Sequence, residues 1–215
     1  MVRLKRFSHC LSHTNLFVAA GAVAEGNDLS LFFGDKKSLN SVRDECRFLS
    51  KEIYGQVVLD TVVCCVDILA VRTNSTTGKK ECLLVERASE PAKGYWWPPG
   101  GRLLKGETFF DAAERKAREE TGLSDVKPVQ VLGVWNTFFP TSNWDTSDTK
   151  GTQTVNPIVL VELGGVAEVS LDETSENFKW IPLDYEQAVA NGENSYVLEG
   201  LARLNAWDPS YASRR

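Results

Sequence analysis

A short window of the chain carries acidic residues at a spacing that suits phosphate chemistry. The fixed positions follow G-x5-E-x7-R-x3-EE-x-G-L and are Gly101, Glu107, Arg115, Glu119, Glu120, Gly122 and Leu123. Mg²⁺ binds one or two protein carboxylates and completes its octahedron with waters and phosphate oxygens. We therefore expect Glu119 and Glu120 to hold Mg²⁺, or Mn²⁺, and the ion to activate a water for attack on the substrate.

A helix is needed to position these acids. Residues 111–120 are rich in good helix formers, Thr108 can cap the start, and Gly122 can end the helix. Side chains four positions apart share a helix face, which places Lys116 one turn before Glu120. We expect a loop, a helix and a loop that bring backbone carbonyls close to the carboxylates.

Lys116 is the residue that tests this metal site. A lysine charge about 5 Å from a divalent ion costs roughly 6–7 kcal/mol at an effective dielectric of ~20, before screening. Either Lys116 extends its ammonium into water, or the site has little affinity for metal. We expect the first, because both acids are retained. We expect Arg115 to be structural and to pair with Glu107 or Glu119.

The rest of the chain predicts an α/β fold with a central mixed sheet. Helices are predicted at 35–54, 183–191 and 195–207, and strands at 57–72, 82–87, 129–139, 155–163 and 178–181. The polar segment 139–153 is long enough for a functional loop. Cys64 and Cys65 are neighbours in a strand and should point to opposite faces as reduced, buried side chains. Tyr95, Trp96 and Trp97 could stack on a base, although burial in the core is the simpler expectation.

Length and charge bound the remaining possibilities. The 215 residues fit one domain plus an extension, which we divide into an N-terminal extension at 1–34, a helix at 35–55, the main domain at 56–208 and a tail at 209–215. No apolar run approaches 18 residues, so we expect no membrane span. The net charge of −5 means that any RNA contact must be local or come from partner proteins.

The first 24 residues have the composition of a mitochondrial transit peptide. They contain Arg3, Lys5 and Arg6 with several hydroxyl residues, and no acid precedes Glu25. A cytoplasmic protein with a disordered tail and a secretory signal are the alternatives. We expect a mitochondrial location.

The acidic window resembles the Nudix box of hydrolases that cleave a nucleoside diphosphate linked to another group. It departs at one position, where the family has Glu and this chain has Lys116. The resemblance implies an α/β/α sandwich. A closer likeness to the GDP-mannose mannosyl hydrolase branch runs from 57 to 207. It is carried by Pro91–Trp96 running into Pro99–Arg102, by Asp67 and Arg87, by Gly133–Trp135, and by Trp180.

The resemblance also implies roles for individual residues. Asp67 would lie at the nucleotide–sugar end of the substrate, and Arg87 and Arg102 would hold the diphosphate. The metal would bind Glu120 and the carbonyl of Gly100. Arginine suits diphosphate because its planar fork binds phosphate oxygens in pairs. The branch also suggests a homodimer.

The sugar-cleaving residues of that branch are missing. Its Gln-His pair is replaced by Thr174 and Ser175, and neither can serve as a base near neutral pH. Pro157 stands where the branch has a polar aromatic residue. We therefore expect water to attack phosphorus, with Glu119 or a loop acid as proton acceptor. The loop acids are Glu173 and Glu176.

Three functions stay open on the sequence. The first is an Mg²⁺-dependent pyrophosphohydrolase acting on a guanine-type nucleotide, which could be a free nucleoside di- or triphosphate, a GDP-sugar or the 5′-triphosphate end of an RNA. The second is a nucleotide- or RNA-end-binding subunit with weak catalysis, which Lys116 favours. The third is a GDP-mannose mannosyl hydrolase, which requires a substitute base.

Overall fold

A mixed β-sheet is the frame of the described chain. The computed structural model describes residues 41–42, 49–145, 150–165 and 168–211. The strands of these residues are β1 (Val63–Thr73), β2 (Lys80–Arg87), β3 (Trp96–Trp97), β4 (Gly100–Arg102), β5 (Val126–Phe139), β6 (Thr152–Leu163) and β7 (Ser175–Pro182). Their order is β3-β2-β1-β6-β5, with β4 paired to β1 and β7 paired to β2. Strands β1 and β6 run parallel and the other pairs are antiparallel.

Helices pack on the sheet and start at well-formed caps. They are α1 (Lys51–Asp60), α2 (Phe109–Thr121), α3 (Tyr185–Ala190) and α4 (Ser195–Trp207), followed by a short 3-10 turn at Pro209–Tyr211. Thr108 and Asp111 form a reciprocal capping box at the start of α2. Gly122 ends α2 with φ at 69°, a conformation that favours glycine. The predicted caps of this helix are confirmed.

Alternation along the central strands builds a core on each face of the sheet. Ile68 and Val159 point to the face covered by the alanines of α2. Leu69 and Leu160 point to the opposite face, where α4 packs. Successive residues of a strand face opposite sides, so an uninterrupted apolar strand is buried on both. The predicted α/β/α sandwich with a central mixed sheet is confirmed.

The start of the first strand differs from the prediction. The segment 57–72 was expected to be strand throughout, but α1 extends to Asp60 and β1 begins at Val63. Ser50 caps α1 by accepting a hydrogen bond from the Ile53 amide at 3.4 Å. Val58 is buried against the domain, so tertiary packing offsets the weak helix preference of a β-branched residue. Most of the helix predicted at 35–54 lies outside the described residues.

Two other expectations need adjustment. Cys64 is exposed, so the prediction that it is buried is wrong, whereas Cys82 is buried and Cys65 is half-buried. The reason is that Cys64 lies near the start of β1, ahead of the buried run from Val66. Within the tail proposed at 209–215, Tyr211 is buried and its hydroxyl donates to Glu162. No helix of the described ranges is long and apolar enough to cross a membrane.

Candidate active site

The site forms where β4 pairs with the first half of β1. Asp67 lies opposite Gly100 in this pairing. The Gly100 amide donates to Glu120 Oε2 at 3.0 Å, which ties the strand to the end of α2. A Cβ at Gly100 would lie 2.4 Å from Asp67 Oδ1 and 2.5 Å from the Val66 carbonyl oxygen. Only glycine fits here, because the backbone itself fills the space that a side chain would need.

Arg115 fixes the loop between β4 and α2. Its guanidinium donates to both carboxylate oxygens of Glu107, at 2.5 and 2.9 Å, and to Glu119 Oε2 at 2.9 Å. It also donates to the Arg102 carbonyl at 2.9 Å. The prediction that Arg115 is structural is confirmed, and both of its predicted partners are real.

The prediction that Lys116 extends its ammonium into water is wrong. Its ammonium forms an ion pair with Glu120 Oε1, and its side chain is only 14% exposed. The stem passes over Gly101, where a Cβ would lie 2.8 Å from Lys116 Cε. Burial raises the pKa of Glu120, and the adjacent ammonium and the Gly100 amide oppose that rise. The ion pair is preferred because Glu120 is buried and a charge there needs a partner.

A cavity of about 310 Å³ opens beside this pair. Five of the predicted site residues line it and come together as expected: Asp67, Arg87, Gly100, Arg102 and Glu120. Thr174 and Ser175 line it too, at the position where the resembled branch has its Gln-His pair.

Three predicted acids lie apart from this cavity in the described structure. Glu119, Glu173 and Glu176 are not among its lining residues, and all three are exposed. Glu119 bonds to Arg115 on the helix surface. A role for any of them in proton transfer requires a rearrangement of its side chain.

Asp67 is the centre of a buried polar network. Its Oδ2 accepts hydrogen bonds from Asn156 Nδ2 at 2.9 Å and from the Tyr196 hydroxyl at 2.5 Å. Burial raises its pKa to about 6, and these two donors and Arg87 counteract the rise. Asn156 continues the network, because its Oδ1 accepts from the Thr137 hydroxyl at 2.8 Å. A buried carboxyl with such a pKa changes its protonation near neutral pH, which is common at functional sites.

The two predicted diphosphate residues are held by neighbouring groups. Arg87 Nε donates to the Pro91 carbonyl at 2.7 Å. The Arg102 guanidinium stacks on the Tyr54 ring, with its central carbon 4.1 Å from the ring centroid. Stacked guanidinium groups keep their in-plane N–H groups directed outwards, which suits a phosphate oxygen.

An aromatic wall, formed by Tyr54 and Trp144 and not revealed by the sequence, lines one part of the cavity. Tyr54 from α1 meets Trp144 edge-on, with ring centroids 5.6 Å apart, and both residues line the cavity. Neither position carries a motif, because both lie outside the box. Asn156 was also missed, although a polar residue inside an apolar strand was a usable signal, as it was for Asp67.

The three adjacent aromatic residues divide between core and surface. Trp97 lines the cavity, stacks on Tyr196 with centroids 4.2 Å apart and packs against the core. Trp96 is partly buried on the same core, and Tyr95 is 58% exposed. The expectation of core burial therefore holds in part for the two tryptophans and not for Tyr95.

The two carboxylates predicted to bind metal are already bonded to protein groups, Glu119 to Arg115 and Glu120 to Lys116. Both oxygens of Glu120 contact protein donors, one from Lys116 and one from Gly100. Across the described ranges, no three His, Cys, Asp or Glu side chains are grouped as a metal site. An ion held here would therefore also need backbone oxygens, waters or a ligand.

Two curated proteins are similar to this chain in sequence. Mouse 8-oxo-dGDP phosphatase NUDT18 is 31% identical over 121 residues, which cover 55% of this chain and 32% of that protein. Low-salt glycan biosynthesis protein Agl8 of Haloferax volcanii is 44% identical over 68 residues, 32% of this chain and 43% of that protein. The chain thus spans less than half the length of these two curated relatives.

Solved structures share the fold. A Caenorhabditis elegans Ap4A hydrolase in a binary complex superposes with a TM-score of 0.52 at 22% identity, over 68% of this chain and 97% of that one. A MutT protein from Methanosarcina mazei gives 0.52 at 20% identity, over 68% and 95%. The NUDIX domain model matches residues 65–198, more than half of the chain. The chain therefore belongs to the NUDIX domain family.

Proposed function

We propose that the chain is a Nudix pyrophosphohydrolase that cleaves a nucleoside diphosphate-linked substrate by attack of water at phosphorus. The observation that carries the proposal is the convergence of Arg87, Arg102 and Glu120 in one cavity with an aromatic wall. The two guanidinium groups would bind the diphosphate, and the aromatic side chains would enclose the nucleoside.

One observation indicates that the residues of this cavity are able to bind a divalent cation. Glu120 lines the cavity and already bonds to a cationic nitrogen, so its carboxylate is placed to bind a cation. Glu120 and the Gly100 carbonyl would hold Mg²⁺ or Mn²⁺, and Glu119 would join them once its side chain leaves Arg115. When bound, the ion would supply Lewis acidity and an activated water.

The chain itself would orient the substrate and accept the proton. Asp67 is buried and lines the cavity, and it would contact the nucleotide–sugar end of the substrate. Glu119 is the first candidate for proton acceptor, because it neighbours Glu120; in that role its side chain would leave Arg115 and would not bind the ion. Glu173 and Glu176 are the alternatives, because they flank Thr174 and Ser175, which line the cavity.

A guanine-type nucleotide is the substrate class that we favour. The name of the mouse relative gives 8-oxo-dGDP as its substrate, and the name of the archaeal relative places it in glycan biosynthesis. Both names are compatible with the resemblance to the GDP-mannose branch. Free nucleotides and GDP-sugars are therefore the first compounds to test.

An RNA 5′ end is the alternative polyphosphate substrate. It is motivated by the transit-like composition of residues 1–24 and by a likeness to a kinetoplastid mitochondrial mRNA stability factor, itself a Nudix protein. With a net charge of −5, the chain would receive RNA through partner proteins.

The resemblance to the mannosyl hydrolase branch also leads us to propose a homodimer, which sedimentation analysis would test.

Product analysis tests the proposed function. The protein is incubated with GDP-mannose, GTP, 8-oxo-dGDP and 5′-triphosphorylated RNA, each with Mg²⁺ or Mn²⁺. Mannose phosphate from GDP-mannose would indicate attack at phosphorus, whereas free mannose would establish the mannosyl hydrolase alternative. If no substrate yields product at any metal concentration, the enzyme proposal fails.

Glu120→Gln is the matching variant. We expect it to abolish turnover and to keep the fold, because glutamine preserves the shape but loses the negative charge. Glu114→Gln on the exposed face of the same helix is the control and should keep full activity. Turnover that survives in Glu120→Gln would exclude Glu120 as the metal ligand.

The second candidate is a binding subunit with weak catalysis, and the Lys116–Glu120 ion pair favours it. Tight GDP binding in the absence of metal, with no turnover in its presence, would support this candidate.

A further inference from the structure

The cation next to Glu120 belongs to the chain itself. The ammonium of Lys116 bonds to Glu120 Oε1 and lies 3.8 Å from Glu119 Oε2. It therefore sits between the two acids that would bind a metal. A divalent ion at the same carboxylate must displace this ammonium or remain close to a like charge.

The position of Lys116 is built into the local structure. Gly101 leaves room for the stem, since a Cβ there would lie 2.8 Å from Lys116 Cε and 3.1 Å from Nζ. The Lys116 side chain is largely buried, so its ammonium is held by Glu120 rather than by bulk water. The neighbouring Arg115 pairs with Glu107 and Glu119. Arg115 and Lys116 thus have different main partners, Glu107 for Arg115 and Glu120 for Lys116.

This pairing changes the charge that a ligand meets. Glu120 is neutralised by Lys116, while Arg87 and Arg102 line the same cavity. A diphosphate group carries negative charge that a carboxylate without a cation would repel. With the internal cation in place, the arginines can bind the group without a metal to shield Glu120.

We propose that Lys116 is a resident cation that competes with a divalent metal ion for Glu120, so that the site binds a diphosphate group without metal and takes up metal weakly. The proposal deepens the proposed function, because it concerns the same phosphate site. The ligand that the site recognises is a diphosphate group. A divalent ion must displace Lys116 from Glu120 before it can act as a cofactor.

Metal affinity is the first test. Mn²⁺ is titrated into the full chain and followed by electron paramagnetic resonance, for the wild type, Lys116→Gln and Lys105→Gln. Lys105 is exposed in the loop before the same helix, so its variant removes an equal charge without touching Glu120. We expect Mn²⁺ to bind Lys116→Gln about tenfold or more tightly than the wild type, and Lys105→Gln to match the wild type.

Equal Mn²⁺ affinity in the wild type and Lys116→Gln would overturn the proposal, and so would the absence of binding in both. An equal gain in Lys105→Gln would also overturn it, because the effect would then be general charge. If Lys116→Gln does not fold, Lys116→Met keeps the apolar stem over Gly101 and is read in the same way.

Binding without metal is the second test. Inorganic pyrophosphate is titrated by calorimetry in the presence of EDTA. We expect the wild type to bind, Lys116→Gln to bind more weakly because Glu120 is then unneutralised, and Lys116→Glu to lose about tenfold or more in affinity because it also adds a second negative charge. Unchanged affinity in Lys116→Glu, or wild-type binding that requires metal, would overturn the proposal. Both readouts are independent of turnover, so failure of the hydrolase assay alone would leave them intact.

Discussion

At the scale of single residues, Asp67 shows how a buried acid is kept in a strand. Two donors, Asn156 and Tyr196, bond to one of its oxygens, yet burial still raises its pKa to about 6. Its reference value is 3.8, so the folded state binds this proton more tightly than the unfolded state. Folding is therefore favoured at low pH by this group, and that contribution is lost as the pH rises through about 6.

Asp67→Asn should remove this pH dependence. Asparagine can accept both hydrogen bonds through its side-chain oxygen but does not ionise. We expect the unfolding free energy of the wild type, relative to the variant, to fall between about pH 4 and pH 6, by on the order of 2–3 kcal/mol at most. Denaturant unfolding at several pH values measures this difference. A constant difference across the range would contradict the raised pKa.

At the scale of elements, strand β4 places the site because it approaches β1 without a side chain at Gly100. The Gly100 amide of this short strand donates a hydrogen bond to Glu120. The Cα of Gly100 packs against Asp67, where a Cβ would not fit. Gly200 in α4 is a useful contrast, since a Cβ there would meet only Ile158 Cδ1 at 4.0 Å.

Alanine at these two glycines should have opposite effects. Gly100→Ala forces the backbones of β4 and β1 apart and should destabilise the protein by more than about 2 kcal/mol. Gly200→Ala makes an ordinary contact and lowers the backbone entropy of the unfolded chain, so it should stabilise by about 0.5–1 kcal/mol. Thermal unfolding compares the two variants with the wild type. A tolerated Gly100→Ala would show that β4 can move away from Asp67.

Helix α1 contributes to the cavity although it lies before the residues that the family model matches. Tyr54 stacks on Arg102 and meets Trp144 from the loop after β5. Gly55 allows this contact, because a Cβ there would lie 2.7 Å from the Trp144 ring. The helix and the loop thus form one wall of the site.

Tyr54→Ala should weaken substrate binding more than it slows the chemical step. Loss of the ring leaves Arg102 without its stacking partner, and we expect KM to rise roughly fivefold with little change in kcat. Tyr185→Ala on the exposed surface of α3 is the matched control. Steady-state kinetics on the best substrate decides the outcome, and a loss confined to kcat would contradict a positioning role.

At the scale of the whole molecule, the chain has a net charge of −5, but its first residues are basic and include Arg3, Lys5 and Arg6. The N-terminal residues carry their own basic composition, and we propose that residues 1–34 direct the protein to mitochondria. Fused to a fluorescent protein, these residues should place it in mitochondria in cells.

The matched control for this proposed targeting segment is a triple variant. Changing Arg3, Lys5 and Arg6 to Glu should leave the fusion in the cytoplasm, because transit peptides need positive charge and few acids. Fluorescence microscopy with a mitochondrial dye reads the result. A diffuse or secreted signal from the unaltered fusion would contradict the mitochondrial proposal.

The sequence by itself determined the box, its helix and the sheet on which they lie. Capping at Thr108, the left-handed turn at Gly122 and the apolar runs of β1 and β6 are local or periodic signals, so they could be read without coordinates. The structural role of Arg115 also followed, from helix spacing. The family resemblance pointed to Arg102, which lines the cavity, and its role in binding the diphosphate stays a prediction.

Tertiary structure alone decided how the charges and aromatic groups meet. Helical spacing placed Lys116 above Glu120, but only burial of Glu120 decided that the lysine pairs with it instead of reaching water. Tyr54 joins Arg102 across 48 positions of sequence, and no local pattern encodes such a contact. The physical reason is that burial and long-range packing depend on the whole fold. They determine whether a charged side chain has a lower free energy when it is paired inside the protein or when it is exposed to water.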